Sequence, residues 1–277
     1  MTKRPRLACC NFIPDVDDLR QFALDLGFAG IDWTFTLENL PNGPGGEVEL
    51  GRTLSRFQPL EVRYHLAFQG MDLGDENPEE AKRAAQVFRD TCRLISKVGG
   101  RFVTIHVGGL GRESSADLSW HTALSALHDL VRFASRLGLR LCVENLAVGW
   151  SSRPWLYEKL LRLSGAWATL DIGHAQVCQP VQTGGYRVQD FVLPHPDRVV
   201  NAHVYHQENE QGHIAPANLG DIESRLRLLD PLPLCDWWVL ELREEKALRQ
   251  TLNILEEYFE WQSSEPNSKK RTRQRRS

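Results

Sequence analysis

The chain has 277 residues, of which 42% are hydrophobic and 25% charged, with 21 Gly and 14 Pro. This composition excludes whole-chain disorder and fibrous repeats and leaves apolar mass for a sizeable core. The formal net charge of −3 hides an asymmetry, because six Lys and Arg fall in the last nine residues and the chain before Ser263 carries 27 Lys and Arg against 35 Asp and Glu, which disfavours a duplex-binding surface.

In chain order, short apolar or β-branched runs alternate with longer helical patterns. The strand candidates are Leu7–Phe12, Ala29–Phe35, Glu61–Phe68, Phe102–Val107, Arg140–Leu146, Ala166–Ile172, Val199–Tyr205 and Trp237–Leu242. Helical patterns occupy Asp15–Leu26, Pro78–Val98, Ser115–Leu137 and Glu244–Trp261, with Pro78 in a first turn and Gly99 and Gly138 at C-terminal caps. The stretch Pro41–Gly46 reads as a loop. Eight strand candidates at about 35 residues per unit predict a single-domain α/β protein, a (β/α)8 TIM barrel over residues 1–262. A disordered basic tail is expected over 263–277. No G-x-G-x-x-G or P-loop is present.

No stretch approaches the ~18 consecutive apolar residues of a membrane span, and Leu7–Cys10 is too short for a signal-peptide core. Six scattered cysteines without a C-x-x-C read as apolar fillers in a reducing compartment. A cytoplasmic protein without a membrane partner is expected; the oligomeric state is left open.

Barrel enzymes gather their chemistry at the C-terminal ends of the strands. Here those ends carry His65, His106, Glu144-Asn145, Asp171-Ile-Gly-His174, His203 and Glu241. Buried carboxylates converging on one axis are costly without a cation or a hydrogen-bond network. Carboxylates mixed with imidazoles suit Zn²⁺ or Mn²⁺ better than an oxygen cage suits Ca²⁺. Trp33 and Trp150, just past strand ends, are candidates for an apolar wall of a binding site, with core packing as their alternative use. His121, His128 and His195 read as solvated.

The strings Val143-Glu144-Asn145, Leu170-Asp171-Ile172-Gly173-His174, Asn201-Ala202-His203 and Val239-Leu240-Glu241, in that order, resemble the xylose-isomerase-like barrel superfamily, which includes sugar and sugar-phosphate isomerases and epimerases and also endonuclease IV. In the isomerase and epimerase branch the resemblance implies one divalent metal (Mn, Zn, Mg or Co) on Glu144, Asp171, His203 and Glu241. Glu144 and Glu241 would then be acid and base in an isomerisation or epimerisation through an enediolate. In the endonuclease IV branch it implies up to three ions, a second on His65, His106 and Glu144 and a third on His174 and His213. Three departures weaken that branch: Gln211 stands where the third ion's aspartate should be, His65-Leu-Ala replaces a histidine followed by proline and tyrosine, and His106-Val-Gly108 replaces H-P-G. A sugar or sugar-phosphate isomerase or epimerase is therefore expected. A zinc phosphodiesterase on the same barrel is the alternative, with nucleic acid not favoured as partner.

Overall fold

The computed structural model describes residues 4–41, 43–109 and 117–264. Eight parallel strands close into a barrel: β1 (Arg6–Cys10), β2 (Gly30–Phe35), β3 (Glu61–Leu66), β4 (Phe102–Ile105), β5 (Arg140–Glu144), β6 (Trp167–Asp171), β7 (Val199–His203) and, after a small antiparallel hairpin of β8 (Gln207–Asn209) and β9 (Gly212–Ile214), β10 (Trp237–Leu240). Consecutive barrel strands are neighbours, and β10 closes onto β1 through the register Arg6 to Trp237. Around them run α1 (Val16–Asp25), α2 (Gly43–Ser55), α3 (Pro78–Lys97), α4 (Trp120–Arg136), α5 (Pro154–Ser164), the short α6 (Ile172–Val177) and α7 (Gln179–Gln182), then α8 (Glu223–Leu229) and α9 (Glu245–Ser264). This is the expected single-domain TIM barrel.

Side-chain oxygens start several helices. Asp15 accepts the N–H groups of Asp17 and Asp18, Asn77 that of Glu79, and Ser119 that of Thr122. Each predicted strand begins within one residue of the observed one, and most run one or two residues too long. The reason is burial without pairing: Val107, Leu146, Tyr205 and Leu242 lie past the ends of their ladders but remain in the core.

The stretch 41–46, read as a loop, instead enters α2 at Gly43. Leu50, Leu54 and Phe57 are buried further along, and their packing outweighs the poor helix propensity of three early glycines. Asn42 lies outside the described residues. So do 115 and 116 of the predicted third helix and 265–277 of the predicted tail, whose first two residues, 263 and 264, end α9.

Inward-facing side chains fill the barrel in layers. Ala8, Trp237 and Val239 form a small apolar plug. Near the N-terminal mouth the buried guanidinium of Arg63 lies 3.8 Å from the ring centre of Phe102 and 4.4 Å from that of Trp237, and it donates to Asn201 and to the carbonyl of Val200. Above it Thr104 and Thr169 share a 2.8 Å hydrogen bond, and Asn201 donates to Thr169. These residues fill the floor of the barrel, and the candidate ligands stand at the C-terminal mouth. All six cysteines are buried and unpaired, and no helix among the described residues is long and apolar enough to cross a membrane.

Candidate metal centre

Alternation along the strands turns Asp32, His65, Glu144, Asp171 and His203 inward at one level, and His106 and Glu241 follow directly after β4 and β10. Four sets of donors result, the fourth being Asp32, His65 and His203. In the first, His65 Nε2 lies 2.8 Å from His106 Nε2 and 3.2 Å from Glu144 Oε2, which is itself 3.1 Å from His106 Nε2. In the second, His203 Nδ1 is 2.8 Å from Glu241 Oε2, 3.3 Å from Glu144 Oε1 and 3.6 Å from Asp171 Oδ2. Glu144 thus faces both sets, one oxygen to each.

The third set combines His174, His213 and a residue not singled out from the sequence, Glu208. Glu208 Oε2 lies 3.1 Å from His174 Nε2, and its Oε1 lies 3.6 Å from His213 Nε2. Both imidazoles have their other nitrogen on a backbone carbonyl: His174 Nδ1 is 3.1 Å from Asn145 O, and His213 Nδ1 is 2.7 Å from Glu241 O. Carbonyls accept only, so both Nδ1 atoms carry the proton and both Nε2 atoms present lone pairs when the rings are neutral. That is how ligand histidines are normally oriented.

In each set one atom per residue lies within 4.8 Å of the others, the spread that donors around one cation have. A second observation supports the fit. His65 Nδ1, His106 Nδ1, both nitrogens of His203, Glu144 Oε1 and Glu241 Oε2 are buried without a hydrogen-bond partner, an accumulation that folded proteins avoid unless something satisfies it.

Electrostatics in the cation-free site follow from this crowding. Burial alone would raise the Glu144 carboxyl, but His203, His106 and His65 hold it well below the usual range. Burial would lower His203, yet Glu241 and Glu144 raise it well above an ordinary imidazole. His106 is pushed down, chiefly by burial. Hydrogen bonds from His174 and then His213 hold Glu208 at about 2.

The residues matching a xylose isomerase-like TIM barrel run from 20 to 258. The chain belongs to this family. Among curated proteins, an uncharacterized protein of Methanocaldococcus jannaschii is 31% identical over 171 residues, covering 60% of this chain and 71% of that one. Among solved structures, a D-tagatose 3-epimerase-like protein superposes with a TM-score of 0.67 at 16% identity, covering 92% of this chain and 97% of that one. Endonuclease IV from Thermus thermophilus superposes with a TM-score of 0.65 at 17% identity, covering 93% of this chain and all of that one. At such identities the likeness is one of fold.

Within this xylose isomerase-like barrel, all eight polar residues expected from the sequence meet at one mouth. The expectation of a third set lacking its carboxylate is corrected. Gln211 is exposed in the turn between β8 and β9, but the hairpin places Glu208 opposite His213, in the register Glu208 to His213, and thereby supplies an acid. Only the hairpin register could reveal this, because Glu208 precedes the histidine by five positions.

Trp33 is not a wall of the site. Its ring packs edge-on against Phe35 and Phe57, with centroids 6.5 and 5.6 Å away, on the helix-facing side of β2 and opposite to Asp32. Trp150 is buried against Trp120, 5.3 Å between centroids, and against Gly108, where a Cβ would strike it. It braces the loop after His106. His121 and His128 are exposed as expected, whereas His195 is half-buried, with Nε2 3.3 Å from Glu158.

Other contributors had weaker signals. Asp72 accepts the backbone N–H groups of Gly74, Gly108 and Gly109 at 2.7–3.1 Å, pinning the loop that follows His106. The Tyr205 hydroxyl donates to Asp171 Oδ2 at 3.0 Å, and its ring stacks on His213 at 4.0 Å. Arg225, buried, donates to the carbonyls of Ile172, His206 and Asp221 and fixes the base of the hairpin.

Proposed function

We propose that this protein is a multi-metal hydrolase of a small phosphate ester or phosphodiester. The observation that carries the reading is the third donor set, His174, Glu208 and His213, standing beside the two sets that share Glu144. An isomerase needs one cation and two proton-carrying carboxylates, and it leaves two histidine-rich sets without a use. Divalent cations, when bound, supply Lewis-acid neutralisation of phosphoryl oxygens and acidify water near neutral pH.

The chain's own residues divide that work. His65, His106 and Glu144 would hold one ion, Glu144, Asp171, His203 and Glu241 a second, and His174, Glu208 and His213 a third. Asn145 and the carbonyl of Glu241 fix the two imidazoles of the third set, and Tyr205 fixes Asp171. The acidic balance of the chain before residue 263 favours a small substrate over duplex nucleic acid.

The alternative is a sugar or sugar-phosphate isomerase or epimerase. The buried quartet of Glu144, Asp171, His203 and Glu241 supports it, with Glu144 and Glu241 as acid and base. Elemental analysis of protein purified without chelator, paired with two assays, separates them. Two or three ions per chain with cleavage of bis-p-nitrophenyl phosphate supports hydrolysis. One ion, with deuterium entering a ketose from solvent and no phosphodiester cleavage, replaces this reading by the isomerase.

A further inference from the structure

Asp32 lies outside the three sets assigned an ion in the proposed function, yet it is a carboxylate with 3% of its surface exposed in the second strand of the barrel. A buried carboxylate is costly unless something nearby uses its charge. Its Oδ2 lies 3.8 Å from His65 Nδ1, and Asp32, His65 and His203 each place one polar atom within 4.8 Å of the others.

The two nitrogens of His65 have different surroundings. Nε2 points at His106 Nε2 and Glu144 Oε2, the direction in which a cation would need a lone pair. A neutral imidazole with its lone pair on Nε2 carries its proton on Nδ1. That Nδ1 is buried without a hydrogen-bond partner, and the carboxylates facing it are Asp32 and Glu241, whose Oε1 is 3.6 Å away. Glu241 Oε1 is the nearer of the two, but the other oxygen of that carboxylate lies 2.8 Å from His203 Nδ1. Asp32, on the strand paired with that of His65, is the other acceptor in reach, and its 3.8 Å would need a small turn of the ring to become a direct hydrogen bond.

We propose that Asp32 is a positioning residue that accepts the Nδ1 proton of His65 and so aims its Nε2 lone pair into the set formed with His106 and Glu144. The inference rests on the multi-metal reading above. It adds a buried carboxylate behind the ligand histidine, an arrangement whose loss typically weakens metal binding about 10- to 100-fold.

The test compares wild type, Asp32→Ala, Asp32→Asn and His65→Ala, all purified without chelator, by elemental analysis, by Co²⁺ titration against a competing chelator, and by the ¹⁵N shifts of the His65 ring. His65→Ala identifies the ion that depends on this set. Asp32→Ala should bind that ion about 10- to 100-fold more weakly with the other equivalents unchanged. Asp32→Asn, which keeps the shape and one accepting oxygen, should lose less, and it serves if the alanine variant does not fold. In a His65→Ala background, Asp32→Ala should have no further effect. Unchanged Co²⁺ affinity and an unchanged Nδ1–H signature in both Asp32 variants, or an equal loss without His65, overturns the assignment while leaving the multi-metal reading standing. A wild-type protein with no ion lost in His65→Ala overturns both.

Discussion

The ring of Tyr205 occupies the space that a side chain at position 173 would need: a Cβ on Gly173 would overlap the ring edge. This close approach lets α6 lie under the tyrosine while its hydroxyl reaches Asp171 and its face stacks on His213. Glycine in the D-x-G-H string is thus a packing requirement of the site.

Gly173→Ala should therefore cost about 1–3 kcal/mol by overpacking and should displace Tyr205 from both Asp171 and His213. Urea denaturation gives the first quantity. Metal analysis gives the second, as a weaker third ion. A variant as stable as wild type with full metal content would show that the ring yields freely.

Glu208→Gln should remove one equivalent of metal, because an amide offers a poorer ligand than a carboxylate at a site with two neutral imidazoles. Gln211→Ala, in the exposed turn of the same hairpin, should leave the count unchanged. Elemental analysis of the pair decides between the acid that the hairpin register supplies and the position where sequence alone placed it. The reverse pattern would refute the role of Glu208.

Stability should vary with pH in opposite senses with and without metal. Glu208, held at about 2 against an ordinary 4.5 by hydrogen bonds from His174 and His213, contributes stability present above 4.5 and lost as pH falls towards 2. Burial lowers His213, but Glu241 and a hydrogen bond to Glu208 raise it to about 9, so its contribution is full below an ordinary 6.5 and fades as pH rises through 9. A cation needs His213 neutral, so its affinity should grow across that same window, with proton release. Melting temperatures between pH 6.5 and 9 should fall for metal-free protein and rise relative to it when Zn²⁺ is added. Parallel curves would exclude His213 as a ligand.

Asp72→Ala should destabilise by about 2–4 kcal/mol, since it strands buried N–H groups of Gly74, Gly108 and Gly109. It should also loosen His106, two residues before Gly108, and weaken the ion held with His65 and Glu144. Chemical denaturation and metal titration check both. A loss below about 0.5 kcal/mol would mean that water replaces the carboxylate.

The barrel was legible in the sequence, because eight apolar runs at regular spacing, six of them ending in polar residues, admit few other folds. The sequence also placed Glu144, Asp171, His203, Glu241, His65, His106, His174 and His213 at one mouth, since a strand's C-terminal end has a fixed destination in that architecture. The tertiary structure decided what depends on contacts between distant segments. Asp32 was hidden within an apolar run, and only strand alternation and the pairing of β2 with β3 bring it to His65. Trp33 and Asp32 are adjacent in sequence, yet one faces the helices and the other the axis, because successive side chains on a strand point to opposite faces. Glu208 became a partner of His174 and His213 through a hairpin register, and Tyr205 through the missing Cβ of Gly173. These relations are set by packing and pairing across tens of residues, which a local reading of residue types does not contain.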